Sequence, residues 1–213
     1  MACCSPECFE STFDERHAKK QLKRYRRRGP NKTTRMLIDA LRAVGVRDAS
    51  VLDVGAGIGV VHHELLASGA RSAVHVDAAR AHMRVAQDEA TQRGHKDRVT
   101  FLHGDFVALA DDISSADVVT LDRVICCYPD MEQLVARSAG KAQRLYGAVF
   151  PRERRSVKLM AAIGNFFCRL RGNPFRGYIH PTAAIDAAVR RQGLTPRSVR
   201  DTWLWRVAVY SRG

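Results

Sequence analysis

The sequence predicts an α/β fold in which helices cover both faces of a mostly parallel β-sheet. Strand-like and helix-like segments alternate between residues 50 and 150, the order that builds a parallel sheet. The stretch from Val51 to Gly59 joins a buried strand to a glycine-rich turn, directly before a helical pattern. Two adjacent strand-like segments end the chain, which predicts a closing antiparallel hairpin.

The individual elements follow from their periodicity and caps. Helices are predicted over 9–28 and 31–43, separated by Gly29-Pro30, with Asn31 as the cap of the second. Strands are predicted at 50–54, 73–77, 99–103, 116–122 and 144–150, with intervening helices over 60–68, 79–93 and 131–139. A helix capped by Thr182 is expected to run to about Arg191 before strands at 195–201 and 203–210.

Length and composition indicate one globular domain with appendages. The 213 residues, 46% of them hydrophobic, suffice for one full core. We expect a helical cap at residues 1–44 and a main domain at 45–213 with a helical insert at about 152–181. No apolar run approaches the roughly 20 residues of a membrane span, and the N-terminus lacks a signal-peptide core, so a cytoplasmic location with free thiols is expected.

The chain is strongly basic, with a net charge of +13, and nine of the seventeen residues from Lys19 to Arg35 are Lys or Arg. Such a run could follow a nucleic-acid backbone, attract a small anionic substrate, or form a solvated helix face. Only Tyr25 offers a stacking ring within the run, which makes nucleic acid the weaker alternative.

The glycine turn distinguishes between nucleotide-type cofactors. Its Gly-x-Gly-x-Gly spacing differs from the Gly-x-Gly-x-x-Gly that places a helix N-terminus on a pyrophosphate. Asp53 precedes the turn, where it would repel a pyrophosphate but attract a cationic ligand. Asp77 ends the second strand, 22 residues after Gly55, and is placed to accept both hydroxyls of a ribose.

In these motifs the chain resembles the class I S-adenosylmethionine-dependent methyltransferases over about residues 45–150. The resemblance implies a Rossmann-like, seven-stranded sheet with a C-terminal antiparallel hairpin, and S-adenosyl-L-methionine as cofactor. It implies these cofactor-binding residues: Asp53, Gly55, Ala56, Gly57, Gly59, Asp77, Ala78, Met83, Gly104, Asp105, Phe106 and Asp122.

The acceptor site is expected after the fourth strand, because ligands of open parallel sheets lie beyond the carboxyl ends of the strands. Tyr128-Pro129 there, with Tyr178 and His180 downstream, resembles the magnesium-protoporphyrin methyltransferase branch, but Cys127 stands where that branch carries a histidine. The catalytic candidates are therefore His180, Tyr128 and Cys127, and the substrate-binding candidates are Tyr25, Arg26, Arg123 and Tyr178.

These features predict methyl transfer to a small, anionic and partly apolar acceptor, at oxygen rather than nitrogen, with a porphyrin as one acceptor of that kind. A helical stripe in the insert (Val157, Met160, Ile163, Phe167 and Leu170) is expected to cover the acceptor pocket. No metal site is predicted, and oligomeric state is not indicated.

Two alternatives remain open at this point. Cys126-Cys127, together with Cys3, Cys4 and Cys8, could bind a metalloid in a thiol or metalloid methyltransferase. The basic run could instead serve an RNA-binding or RNA-methylating protein, although the segment after strand four lacks the usual elements of base methylation.

Overall fold

Seven strands form a single sheet in the computed structural model, which describes Thr12 and residues 14–213. The strands are β1 (Ser50–Val54), β2 (Ser72–Asp77), β3 (Val99–His103), β4 (Ala116–Asp122), β5 (Ala142–Pro151), β6 (Leu194–Asp201) and β7 (Trp205–Arg212). Their order is β3-β2-β1-β4-β5-β7-β6. The strand β7 runs antiparallel to both of its neighbours, β5 and β6, and all other pairs are parallel, so the predicted mostly parallel sheet with a terminal hairpin is confirmed.

Helices cover both faces of this sheet, as predicted. They are α1 (Glu15–Arg28), α2 (Lys32–Val44), α3 (Val60–Ala67), α4 (Arg80–Gln92), α5 (Phe106–Leu109), α6 (Met131–Gly140), α7 (Arg155–Leu170) and α8 (Thr182–Arg191). One core joins α6 and α8 to the sheet through Leu134, Val189 and Tyr146. A second core joins α2 and α3 to the opposite face through Leu41 and Leu65.

Side-chain caps explain where the first two helices begin. Asp14 accepts a hydrogen bond from the His17 N–H at 2.8 Å, and Asn31 accepts from the N–H groups of Thr33 and Thr34. The predicted cap at Thr182 was wrong: Pro181 occupies the N-cap position without a side-chain capping bond, and Thr182 is the first residue of α8.

The N-terminal helix α1 packs across the ends of the strands rather than on the sheet. Its Ala18 and Tyr25 form a small apolar cluster with Ile58 and Val85. The Tyr25 hydroxyl donates to Glu64 at 2.7 Å, and Arg26 donates to Glu89 at 2.6 Å. These contacts hold α1 over the glycine turn.

The predicted apolar stripe of the insert does not cover a pocket. Of its five residues only Val157 is buried, whereas Met160, Ile163, Phe167 and Leu170 are exposed. The helix α7 rests on the protein through Val157, Ala161, Asn165 and Cys168, a stripe with a different phase. Within Thr12 and residues 14–213, no helix combines the length and apolarity needed to span a bilayer.

Candidate active site

A cavity of about 650 Å³ lies at the carboxyl ends of β1, β2, β3 and β4. Parallel strands bring the residues that follow them to one edge, so distant parts of the sequence meet here. The helix α1 and the segment leading into α2 form the facing wall. The cavity volume falls within the usual range for small-molecule sites.

The glycine turn after β1 contains three glycines with left-handed backbones and three different surroundings. A Cβ on Gly55 would lie 2.5 Å from Val124, and one on Gly59 would lie 2.5 Å from His62. A Cβ on Gly57 would meet no atom within 4 Å, at a φ of 58°. Gly57 therefore presents bare backbone to the cavity, while Gly55 and Gly59 allow close packing behind it.

Asp77, at the end of β2, fixes the glycine turn. One carboxylate oxygen accepts from the Gly57 N–H at 2.7 Å, and the other accepts from the Ala79 N–H at 2.7 Å. Burial raises the pKa of Asp77 to about 6, although these two N–H groups act in the opposite direction. Each oxygen keeps a second lone pair, so the carboxylate can still accept two ribose hydroxyls.

Asp105 and Tyr128 close the cavity beyond β3. Asp105 caps α5 by accepting from the Val107 N–H at 3.0 Å, and its other oxygen accepts from the Tyr128 hydroxyl at 2.9 Å. Phe106, which is buried, also lines the cavity. A flat ring flanked by a carboxylate suits an adenine base with its exocyclic amino group.

Asp53 lines the cavity, but its carboxylate lies in a buried network. One oxygen accepts from the Thr120 hydroxyl at 2.7 Å, and the other lies 3.0 Å from His62 Nδ1. The side chain is 1% exposed. The structure therefore directs the Asp53 carboxylate to β4 and α3 instead of leaving it free to face a cationic ligand.

Asp122, at the end of β4, is also engaged. Its Oδ2 accepts from the Thr34 hydroxyl of α2, and its Oδ1 lies 3.3 Å from Arg123 Nε. Arg123 adopts a left-handed backbone with φ of 63°, unusual for a side chain with a Cβ. Its guanidinium lies 6.0 Å from the centre of the Trp205 ring, and both residues line the cavity.

Cys126 and Cys127 sit side by side on a short 3-10 turn that lines the cavity. Their Sγ atoms are 3.8 Å apart, and both lie near the Arg123 carbonyl oxygen. The hydrogen bond from Cys126 lowers the pKa of the Cys127 thiol, and Arg123 lowers it further against the effect of burial. Cys127 is thus the more readily ionised of the two thiols.

His180 supports this turn from behind. Its Nε2 donates to the Tyr128 carbonyl oxygen at 2.9 Å, and its ring stacks on Tyr178 with centroids 5.7 Å apart. The Tyr178 N–H donates to the Cys126 carbonyl at 2.8 Å. Burial lowers the pKa of His180, which favours the neutral form of its ring. Neither His180 nor Tyr178 lines the cavity in the described part of the chain.

The predicted site residues as a whole divide into those that line the cavity and those that lie outside it. Those that line the cavity are Asp53, Gly55, Ala56, Gly57, Asp77, Ala78, Gly104, Asp105, Phe106, Asp122, Arg123, Cys127, Tyr128 and Tyr25. Gly59, the N-cap residue of α3, lies outside this set, and so does Met83, which is buried within α4. Arg26 is turned outward to Glu89.

The sequence interpretation missed the face of α1 that borders the cavity, which carries His17, Lys20, Gln21 and Arg24. Helical periodicity could have predicted this face, because Ala18 and Tyr25 fix which side of the helix faces inward and the i, i+3 and i+4 positions then follow. Thr34, His82, Val124, Phe175 and Trp205 were also missed.

Comparison with known proteins defines the class of this fold and site. Residues 51–141 match the family described as "Methyltransferase domain". With the sheet order and the glycine turn described above, this match over part of the chain supports an S-adenosylmethionine-dependent methyltransferase with the class I fold, and therefore an enzyme. Among curated proteins no sequence matches the chain significantly.

Solved structures show more specific likenesses. Magnesium protoporphyrin IX methyltransferase from Synechocystis PCC 6803, with bound S-adenosylhomocysteine, is similar with a TM-score of 0.73 and 20% identity, over 98% of each chain. An O-methyltransferase family protein from Burkholderia thailandensis gives a TM-score of 0.72 and 19% identity, over 96% of this chain and 63% of the other. An O-methyltransferase family 2 protein from Planctomyces limnophilus, in complex with apigenin, gives a TM-score of 0.68 and 17% identity, over 93% of this chain and 62% of the other.

Proposed function

We propose that this methyltransferase acts on a small, anionic and partly apolar acceptor and methylates an oxygen atom that is already ionised. One observation carries the proposal: every carboxylate that lines the cavity, among the described residues, is bonded to a protein donor. Asp53 accepts from Thr120, Asp77 from Gly57, Asp105 from Tyr128 and Asp122 from Thr34.

A carboxylate stabilised by an existing hydrogen bond is a poorer general base, and Asp77, whose pKa burial raises to about 6, is assigned to the ribose and not to the acceptor. The His180 ring is also committed, through Nε2, to the Tyr128 carbonyl. A neutral alcohol would need a base to become nucleophilic, whereas a carboxylate acceptor would not. This set of partners therefore favours an acceptor such as an apolar carboxylic acid, of which a porphyrin propionate is one example.

Positive charge supports the same acceptor class. Lys20 and Arg24 of α1 line the cavity, and among the described residues no carboxylate pairs with either. Arg123 lines it from the opposite side, next to the Trp205 ring. Two cations on one wall and apolar rings on the other suit an anion attached to an apolar body.

The residues of the chain then divide the work of methyl transfer. When bound, S-adenosylmethionine supplies an electrophilic methyl group on a sulfonium. Asp77 would hold the ribose, Asp105 and Phe106 the adenine, and the bare backbone at Gly57 allows the cofactor to approach closely. Lys20 and Arg24 would hold the acceptor in line with the methyl group, so positioning supplies most of the rate enhancement. We extend the proposal to the described part of residues 1–44, Thr12 and residues 14–44, acting as a cap that excludes water over the domain at 45–213; the rest of this predicted cap lies outside the described residues.

The proposal is tested with a labelled methyl donor and paired acceptors, each an apolar carboxylic acid and its corresponding primary alcohol. The acids should be converted to methyl esters and the alcohols should not. Alcohols methylated as fast as the acids would contradict it, since they would show that a group lining the cavity, such as the ring of His17 or His82, acts as a general base.

Paired variants on α1 test the role of the cations. Lys20→Gln with Arg24→Gln should raise KM for the acid at least tenfold and leave the Kd for S-adenosylhomocysteine unchanged. The matched control is Lys23→Gln with Arg27→Gln, on the outer side of the same helix, which should change neither value. Equal effects of the two pairs would indicate a general loss of positive charge.

A thiol or metalloid methyltransferase is the second candidate, supported by the 3.8 Å separation of the Cys126 and Cys127 sulfurs inside the cavity. Cys3, Cys4 and Cys8, the other cysteines of this hypothesis, lie outside the described residues. No group of three or more potential metal ligands occurs in the described part of the chain. Full activity of Cys127→Ser on carboxylic acids, with no methylation of arsenite by the wild type, would dismiss this candidate. RNA binding would instead show as an affinity that falls steeply with salt.

A further inference from the structure

The helix α7 (Arg155–Leu170) turns an apolar surface away from the protein. Six large side chains on it are 44–66% exposed: Leu159, Met160, Ile163, Phe166, Phe167 and Leu170. At 100° per residue these positions fall within an arc of about 120°. We call this set the α7 face.

The α7 face is not buried in the fold. The opposite side of the helix makes the contacts with the protein, since Val157 is fully buried and Ala161, Asn165 and Cys168 are half-buried. The Asn165 side chain also exchanges two hydrogen bonds with the Gly177 backbone, donating at 2.9 Å and accepting at 2.8 Å. A helix fixed on one side, with an apolar surface on the other, is the reverse of the usual pattern for a surface helix.

Positive charge borders the α7 face. From Arg154 to Gly172 the sequence contains five cations and no acid, and the cations (Arg154, Arg155, Lys158, Arg169 and Arg171) are all exposed; of these, Lys158 pairs with Glu153 at 2.8 Å. The helical positions of Arg155 and Arg171 fall on either side of the apolar arc. An apolar strip edged with cations has the chemistry of a helix that lies in a membrane interface.

We propose that the α7 face docks on the surface of an anionic lipid bilayer. The six apolar side chains would enter the boundary between headgroups and acyl chains, and the cations would approach the lipid phosphates. A second copy of the chain fits less well, because a two-fold contact through this helix would bring two sets of five cations together.

The docking surface is connected to the acceptor side of the cavity. Asn165 binds Gly177, and the next residue, Tyr178, donates to the carbonyl of Cys126 at 2.8 Å. Phe175, in the same segment, lines the cavity. A bilayer in contact with α7 would therefore lie beside the acceptor side of the active site.

Vesicle sedimentation of the full chain at low salt tests the proposal. The protein should bind vesicles of phosphatidylcholine with phosphatidylglycerol and bind pure phosphatidylcholine at least tenfold more weakly. Leu159→Gln, Ile163→Gln and Phe167→Gln together should lower binding to the anionic vesicles at least tenfold. The matched control is Val199→Gln with Trp203→Gln, two residues exposed by 48% and 59% outside α7, which should bind as the wild type does.

A second variant tests the cations. Arg155→Gln, Arg169→Gln and Arg171→Gln together should weaken binding to anionic vesicles about a hundredfold, at about 1 kcal/mol for each cation near the surface. The proposal is overturned if the wild type does not bind anionic vesicles at low salt, or if the α7-face variant binds equally well. A dimer that the α7-face variant abolishes, without vesicle binding, would overturn it in favour of a second copy. These readouts measure binding alone, so they are independent of the acceptor proposed above.

Discussion

The Tyr128 hydroxyl donates a 2.9 Å hydrogen bond to Asp105 and so joins the segment that follows β4 to the segment that follows β3. Tyr128 is 9% exposed, and its backbone carbonyl in turn accepts from His180. The expected acceptor side and the expected adenine side of the cavity are therefore mechanically coupled through one phenol.

Tyr128→Phe tests this coupling. Loss of the hydroxyl should weaken S-adenosylhomocysteine binding about fivefold, the equivalent of about 1 kcal/mol for one hydrogen bond to a carboxylate. Calorimetric titration measures the change. Tyr178→Phe is the matched control and should leave the Kd unchanged; equal losses in both variants would mean that Asp105 does not need Tyr128 to hold the adenine.

Cofactor affinity should depend on pH through Asp77. The pKa of this carboxyl is raised to about 6 by burial, so it takes up a proton as the pH falls through 6 and can then no longer accept two ribose hydroxyls. The Kd for S-adenosylhomocysteine should rise about tenfold between pH 8 and pH 5. Asp77→Asn should bind more weakly at every pH and lose most of this dependence. A wild-type Kd that is flat over the same range would contradict the role assigned to Asp77.

Two glycine substitutions should separate binding from stability. Gly57→Ala should reduce the free energy of unfolding by about 1–2 kcal/mol, the cost of a left-handed backbone, and weaken cofactor binding at least tenfold because its methyl group enters the cavity. Gly59→Ala should cost more than about 2 kcal/mol, because its Cβ would also lie 2.5 Å from His62. Urea denaturation and calorimetry measure the two quantities. Equal effects of the two variants on both would refute the distinction.

A buried histidine should make the fold sensitive to acid. Neither ring nitrogen of His75 has a hydrogen-bond partner among the described residues, and its ring lies 5.3 Å from that of His62 and 5.1 Å from that of Phe101. Burial holds the pKa of His75 well below 6.5, so the unfolded chain takes up a proton that the folded chain does not. Stability should therefore fall as the pH drops below 6.5, by up to about 1.4 kcal/mol per pH unit for this group.

His75→Phe removes the two unpaired ring nitrogens and, with them, the group that takes up a proton when the chain unfolds. The variant should be about 1 kcal/mol more stable than the wild type at pH 8 and should lose less stability between pH 6.5 and pH 5. Urea titrations at each pH measure this. A parallel fall in both proteins would show that His75 does not titrate on unfolding.

The parts of this structure that were predictable from sequence are those set by periodicity and spacing. The apolar run from Val51 to Val54 identified the central strand, and the interval to Asp77 located a carboxylate beside the glycine turn. The direction in which each side chain points was harder to predict from the sequence. Arg26 faces outward and Arg24 inward because burial of Ala18 and Tyr25 fixes the rotation of α1. Likewise, the irregular segment before α8 offers no period from which the position of His180 could be read.

The position of α1 over the cavity has a consequence for turnover. This helix forms one wall of the cavity and is attached through the Tyr25–Glu64 and Arg26–Glu89 bonds and one small apolar cluster. Lifting of the helix would release a cofactor bound beneath it, and the helix is held in addition by the Arg26–Gln92 bond and by the Arg93 guanidinium over the Tyr25 ring. We expect release of the demethylated cofactor, timed by this opening, to limit the steady-state rate, so that loosening Arg26 from Glu89 would speed the enzyme at saturating substrate.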